Sequence, residues 1–157
     1  MIINKIKIIS GGQTGVDRAA LDSALELGIP CGGWCPKGRI AEDGVIDEKY
    51  PLQETPLRDY SQRTEWNVRD SDGTLVLGFG KPSSGTLFTI ETAKKLEKPF
   101  MILDLKSNKD DASFKLWLQN NGIRTLNIAG PRESLAPGDT HRLAKIKLIR
   151  LFEKLTE

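Results

Sequence analysis

The chain has 157 residues, 38% hydrophobic and 28% charged, and its 23 basic and 21 acidic side chains leave a formal charge of +2. That length suits one domain, 1–157, burying roughly 70% of the surface its unfolded chain exposes. The near-neutral balance excludes a global field that would draw it to nucleic acid or anionic lipid, and no apolar run approaches the ~20 residues of a membrane span.

Lys5 to Ser10 reads as a first strand, with no apolar leader or cleavage site before it, so a cytoplasmic protein is expected. Val16 opens a helix with Val16, Ala19, Ala20, Ala24 and Leu27 on one stripe, stopped by Gly28. Ile29 to Gly33 is a short second strand. Residues 36–58 hold no sustained period and are punctuated by Pro36, Gly38, Gly44, Pro51 and Pro56, with room for a short strand at Leu52–Glu54. A stretch this long without a period is more often functional than idle. Asp59-x-x-Gln62 has the form of a capping box and opens a helix to about Asp70. Thr74–Phe79 is a central strand, and the Gly80–Gly85 loop leads to a helix from about Thr86 to Leu96. Phe100–Leu103 is the next strand, and Asp110 or Asp111 caps a helix carrying Phe114, Trp117 and Leu118. Arg124–Ile128 is the last strand. In the final helix, about Thr140 to Leu155, the stripe Leu143, Ile146, Ile149 and Phe152 predicts Lys145, Lys147, Arg150 and Lys154 facing outward. Alternating strands and helices predict an α/β fold with a mainly parallel sheet.

Cys31 and Cys35, the two cysteines, stand one residue too far apart for a redox C-x-x-C, and the sole histidine, His141, is remote in sequence. No protein-ligated metal is predicted; the thiols read as buried small hydrophobes or incidental groups, with no disulfide expected in a cytoplasmic protein.

Three predicted turns leave the carboxyl ends of strands, where open parallel sheets bind ligands. They are Gly11-Gly12-Gln13-Thr14-Gly15, then Ser83-Ser84-Gly85-Thr86, then Gly130-Pro131-Arg132. Glycines let backbone approach a ligand closely, and amides of a first helical turn favour an anion. If the strands are neighbours, these amides, the hydroxyls of Thr14, Ser83, Ser84 and Thr86, and the Arg132 guanidinium surround one negative group. Backbone need alone and ordinary N-capping are the competing readings of each turn. The turns match neither a P-loop nor the G-x-G-x-x-G dinucleotide fingerprint. Lys37 and Arg39, in the charged loop Pro36–Gly44, could close over the same anion or simply face solvent. Asp17 reads as a cap and Arg18 as a ligand contact. Arg63, Asn67 and Asp70 share one polar face of their helix, which suggests a partner, a ligand or a second subunit.

Five segments carry a resemblance spanning nearly the whole chain: Gly-Gly-Gln-Thr-Gly-Val-Asp-Arg (11–18), Cys-Gly-Gly-Trp-Cys-Pro-Lys-Gly-Arg (31–39), Ala-Glu-Asp-Gly (41–44), Arg-Thr-Glu-Trp-Asn-Val-Arg-Asp-Ser-Asp-Gly-Thr (63–74) and Ala-Gly-Pro-Arg (129–132). In these the chain resembles the molybdenum cofactor carrier family. The resemblance implies a Rossmann-like three-layer fold, in a nucleotide-ligand-binding superfamily that also holds lysine-decarboxylase-like phosphoribohydrolases. It further implies a homo-oligomeric (dimeric or tetrameric) binding protein for molybdenum cofactor (molybdopterin) or a related phosphorylated pterin or nucleotide. The phosphoribohydrolases carry Gly-Gly-x-Gly-Thr-x-x-Glu. Here the acid's position is Thr89, and Glu91 lies about 200° further round a helix, which argues against N-glycosidic hydrolysis. A nucleotide-processing hydrolase using Glu91, Glu42 or Asp72 as acid or base, and a nucleotide-sensing domain, are the alternatives.

Overall fold

A computed structural model describes residues 2–156. Five strands form a parallel sheet: β1 (Lys7–Ile9), β2 (Cys31–Gly32), β7 (Gly73–Gly78), β8 (Phe100–Asp104) and β9 (Thr125–Ala129), in the order β2-β1-β9-β7-β8. Every pairing in it is parallel, with Ile8 opposite Leu126 and Leu75 opposite Ile128. β7 is buried almost throughout, as a strand covered on both faces should be. Helices flank the sheet, giving a Rossmann-like three-layer α/β fold. One group is α1 (Val16–Leu27), α4 (Asp111–Asn120) and α5 (Thr140–Lys154); the other is α2 (Tyr60–Arg69) and α3 (Ser84–Lys95). No helix among the described residues is long and apolar enough to cross a membrane.

The main core joins Ile8, Leu75, Leu77, Leu126 and Ile128 of the sheet to Val16, Ala19, Ala20 and Ala24 of α1 and Ala144, Leu148, Leu151 and Phe152 of α5. Alanines on both helices let α1 and α5 pack closely. Gly28 ends α1 in the left-handed region at φ 67°, its N–H on the carbonyls of Ala24 and Leu25. Leu27, expected on the buried stripe, is exposed, and Leu21 is buried instead.

One expectation about a helix face and one about a helix cap are corrected. In α5, Ile146 is 57% exposed while Lys147 is 1% exposed, its Nζ donating to Ser107 O and Asp110 Oδ2, both at 2.7 Å. The core stripe runs through Ala144, Lys147, Leu148 and Leu151, because a carboxylate and a carbonyl from the β8–α4 connection meet the ammonium. In α2, Asp59 caps the Ser61 amide, but Gln62 accepts from Leu57 N rather than closing a reciprocal box.

The segment without a period contains structure after all. β3 (Trp34–Cys35) pairs in parallel with β6 (Gln53–Glu54), and β4 (Ile40–Ala41) forms a hairpin with β5 (Gly44–Val45). Two-residue ladders are too short to show alternation. A small cluster of Leu21, Cys35, Ala41, Ile46 and Tyr50 lies beneath them. Burial pushes both thiols up, that of Cys31 and that of the fully buried Cys35, which suits inert packing.

Candidate functional site

Because β1, β9 and β7 are adjacent, the turns that follow them open on one crevice of about 470 Å³. Gly11 and Gln13 reach it from the first turn, Ser83, Ser84, Gly85 and Thr86 from the second, and Gly130 and Arg132 from the third. Tyr60, Arg63, Thr64 and Asn67 of α2 form a further wall, Asn127 of β9 adds a polar group, and Phe88 and Leu135 add apolar ones. Phe88 is 38% and Leu135 52% exposed, so these side chains rim the mouth.

The two helix N-termini at the crevice differ in what they leave free. At α1, Thr14 N donates to Gln13 Oε1 at 3.0 Å, Val16 N to Pro131 O at 3.1 Å and Arg18 N to Gln13 O at 3.0 Å. The carboxylate of Asp17 draws the amides of Gln13 and Gly130. The expected nest of free amides is therefore largely filled by the chain itself. At α3, Ser83 is the N-cap, its Oγ accepting from Thr86 N, while Ser84 and Gly85 are the first two helical residues, whose amides have no intrahelical acceptor.

The glycines divide the same way. A Cβ on Gly15 would lie 2.4 Å from Pro131 O, on Gly130 2.3 Å from Leu77 O, and on Gly11 2.4 Å from Arg63 Nη1. On Gly12 it would meet Leu52 Cδ1 at 2.5 Å, in the small cluster beneath the hairpin. Gly15 and Gly130 are required by backbone that passes this close, Gly12 by its left-handed φ of 78° together with the side chains against it, and Gly11 is pressed only by the Arg63 side chain. Gly85 lines the crevice and its Cβ would meet nothing within 4 Å. Packing gives no reason for glycine in that helical turn.

Several expected site residues lie elsewhere. Thr14, Gly15 and Arg18 line a separate open groove with Glu42, Asp43 and His141. Thr14 Oγ1 donates to Glu42 and accepts from Glu133 N, and Arg18 pairs with Asp43 and donates to Gly12 O at 3.0 Å. Lys37 is exposed and outside the crevice lining. Arg39 does not close over an anion: it sits at φ 53° and its guanidinium donates to the carbonyls of Ile46, Asp47, Tyr50 and Leu52. Those oxygens, brought together by the 46–52 turn, hold the cation in place of a ligand.

The candidate acids also fall outside the crevice. Glu42 accepts from Thr14, from Ser134 Oγ at 2.7 Å and from Ser134 N at 3.1 Å. Burial works to raise its carboxyl, but the Thr14 and Ser134 hydrogen bonds and nearby Arg132 outweigh that and hold it below the usual range. Asp72 accepts the amides of Arg124 and Thr125, just ahead of and at the start of β9, and Glu91 is exposed on α3. Asp17, read from the sequence as a cap and dipole partner, is the acid of the first turn of α1 and accepts the Gln13 and Gly130 amides; it also lines the crevice at 7% exposure, 3.5 Å from Arg63.

Much of the polar face of α2 bonds to its own chain, although Arg63 and Asn67 also line the crevice. Asn67 accepts from Trp34 N at 2.8 Å and donates to Trp34 O at 3.0 Å, Asp70 accepts from Trp34 Nε1, and Arg63 donates to Gly11 O at 3.0 Å. Asn127, whose Nδ2 donates to Thr74 Oγ1, was missed; an asparagine inside the apolar run Thr125–Ala129 is the signal that could have found it. No group of three or more His, Cys, Asp or Glu able to hold a metal occurs among the described residues.

Residues 8–148 match the model of the circularly permutated YpsA SLOG family. The crystal structure of a "Putative molybdenum carrier protein" from Syntrophus aciditrophicus SB is similar at 44% identity and a TM-score of 0.86, covering 98% of this chain and 97% of that one. No curated protein matches.

Proposed function

The chain belongs to the circularly permutated YpsA SLOG family, and from that premise we propose that it binds and carries a phosphorylated pterin or nucleotide, with molybdenum cofactor the leading candidate as cargo. The observation that carries this reading is the open first turn of α3 at the crevice, with Gly85 clear of the rest of the chain. The Ser84 and Gly85 amides and the Thr86 hydroxyl, which accepts from Ser83 Oγ at 3.0 Å and keeps its own proton, take the phosphate, and Arg132, half-exposed at the mouth, supplies charge. The volume falls within the ~300–1,000 Å³ of small-molecule sites. Tyr60, Phe88 and Leu135 offer apolar surface to a flat ring, while Asn127 and Arg63 offer hydrogen bonds deeper in. The 44% identical relative, described as a molybdenum carrier, supports the choice of cargo. The reading takes the chain as one cytoplasmic domain.

Native purification followed by molybdenum assay and pterin fluorescence tests the cargo. Thermal shift with nucleoside monophosphates and pterin phosphates tests the site. Gly85→Val and Arg132→Ala should each lower phosphate-ligand affinity by about tenfold or more, the scale of a lost charge-assisted contact. Neither should cost much more than ~0.5 kcal/mol of stability, since both positions are open. Affinity unchanged in Gly85→Val removes the site.

A nucleotide-processing hydrolase is a second reading only through Asp17. Its carboxyl is raised to about 6 by burial, against the lowering effect of Arg63, within the range of a general acid or base. Release of free base from nucleoside monophosphates is its assay. The α2 face that suggested a sensor's partner divides: Asn67 and Asp70 bond to Trp34, and Arg63 faces the crevice.

A further inference from the structure

Asp17 is the one acidic side chain among the described residues that line the crevice. It is held from three directions: Arg63 of α2 at 3.5 Å, the Gln13 amide of the first turn and the Gly130 amide of the third. None of these neutralises it fully. The Arg63 guanidinium is shared with Gly11 O at 3.0 Å and Tyr60 O at 3.4 Å, and it lies over the Tyr60 ring. The other cations nearby are Arg18 of α1, whose guanidinium is committed to Asp43 and Gly12 O, and Arg132, which reaches toward Glu42 and the Tyr60 ring. A buried carboxylate with shared partners thus lines the same crevice that an anion would enter.

Resting on the reading of this crevice as a phosphate site, we infer that entry of a doubly charged anion is coupled to uptake of one proton by Asp17. The proton comes from solvent and goes to a carboxylate oxygen; no covalent bond to the ligand forms or breaks. A dianion in a desolvated crevice disfavours a second negative charge close by, and protonation relieves that repulsion while leaving Arg63 to the ligand. Burial already brings this carboxyl up to about 6, so a modest further rise carries it past neutral pH. The sign of the linkage follows. The bound state holds more protons than the free state, so affinity is highest at acid pH and falls as pH rises above the free carboxyl's range, by up to about tenfold per pH unit.

Inorganic sulfate serves as the probe, because it stays a dianion throughout the useful range. Calorimetric titration of the wild-type protein at about pH 7, in two buffers of different ionisation heat, should give roughly 0.5–1 proton taken up per sulfate. The association constant should fall at least about fivefold between pH ~6 and pH ~8. Sulfate binding with no proton uptake and a flat pH profile overturns the inference and leaves the phosphate site standing. Asp17→Asn should bind sulfate without uptake; uptake that persists in the folded variant assigns the proton elsewhere and overturns it equally. If that variant does not fold, the two-buffer comparison on the wild type decides alone. Absence of both heat and thermal shift with sulfate at about pH 5.5, where the carboxyl is largely protonated, fails the phosphate reading itself and this inference with it.

Discussion

Gly12 and Gly85 carry the same residue type at two turns of the same kind, and their surroundings assign them opposite roles. Gly12 adopts φ 78° and its missing Cβ would sit 2.5 Å from Leu52 and 3.0 Å from Ile46, so the position is required by packing. Gly12→Val combines left-handed strain with overpacking and should cost about 2–4 kcal/mol. Urea denaturation measures this, and ligand affinity should fall only as far as folding does. A variant of wild-type stability that had lost ligand would place Gly12 in the site after all. Gly85 has no such neighbours and lines the crevice, where the proposed ligand would lie against its backbone. Arginines divide likewise: Arg39 faces four carbonyls of its own chain and Arg132 faces the mouth, which no reading of residue type could separate.

At the scale of elements, helix lengths and order were legible because the 3.6-residue period survives in α1, α3, α4 and α5. The faces were less so. In α5 a stripe through Leu143, Ile146 and Ile149 and one through Ala144, Lys147 and Leu151 fit the same spacing, and only the Asp110 carboxylate and Ser107 carbonyl reveal that the lysine side is buried. In α2 the polar face resembled a docking surface, yet Asn67 acts as a surrogate strand, closing both backbone groups of Trp34 beside β3. Asn67→Ala leaves that part-buried N–H and C=O unpaired and should destabilise by about 1–2 kcal/mol. Hydrogen exchange should show the Trp34 amide losing protection more than amides in β7; equal protection in variant and wild type would remove the surrogate role.

At the scale of the whole molecule, the three-layer arrangement makes the crevice by setting β1, β9 and β7 side by side, so that turns more than a hundred residues apart share one space. The same arrangement leaves large apolar side chains outside: Ile102 on edge strand β8 is 49% exposed and Ile146 on α5 is 57% exposed. The homo-oligomer, dimeric or tetrameric, is a proposal drawn from the family resemblance, and single exposed side chains such as these do not by themselves mark an interface. Sedimentation velocity should give a species of twice or four times the 17.4 kDa chain mass; a monomer at every concentration would rule it out.

The α/β alternation, the parallel sheet and the position of the three turns at strand ends were decided by the sequence alone, because periodicity, buried-strand runs and glycine punctuation are local properties. Which donors remain free for a ligand was decided by tertiary structure. An amide or guanidinium is available only if no acceptor from elsewhere reaches it, and Pro131, Asp17 and the 46–52 carbonyls come from parts of the chain that only the fold brings to those donors.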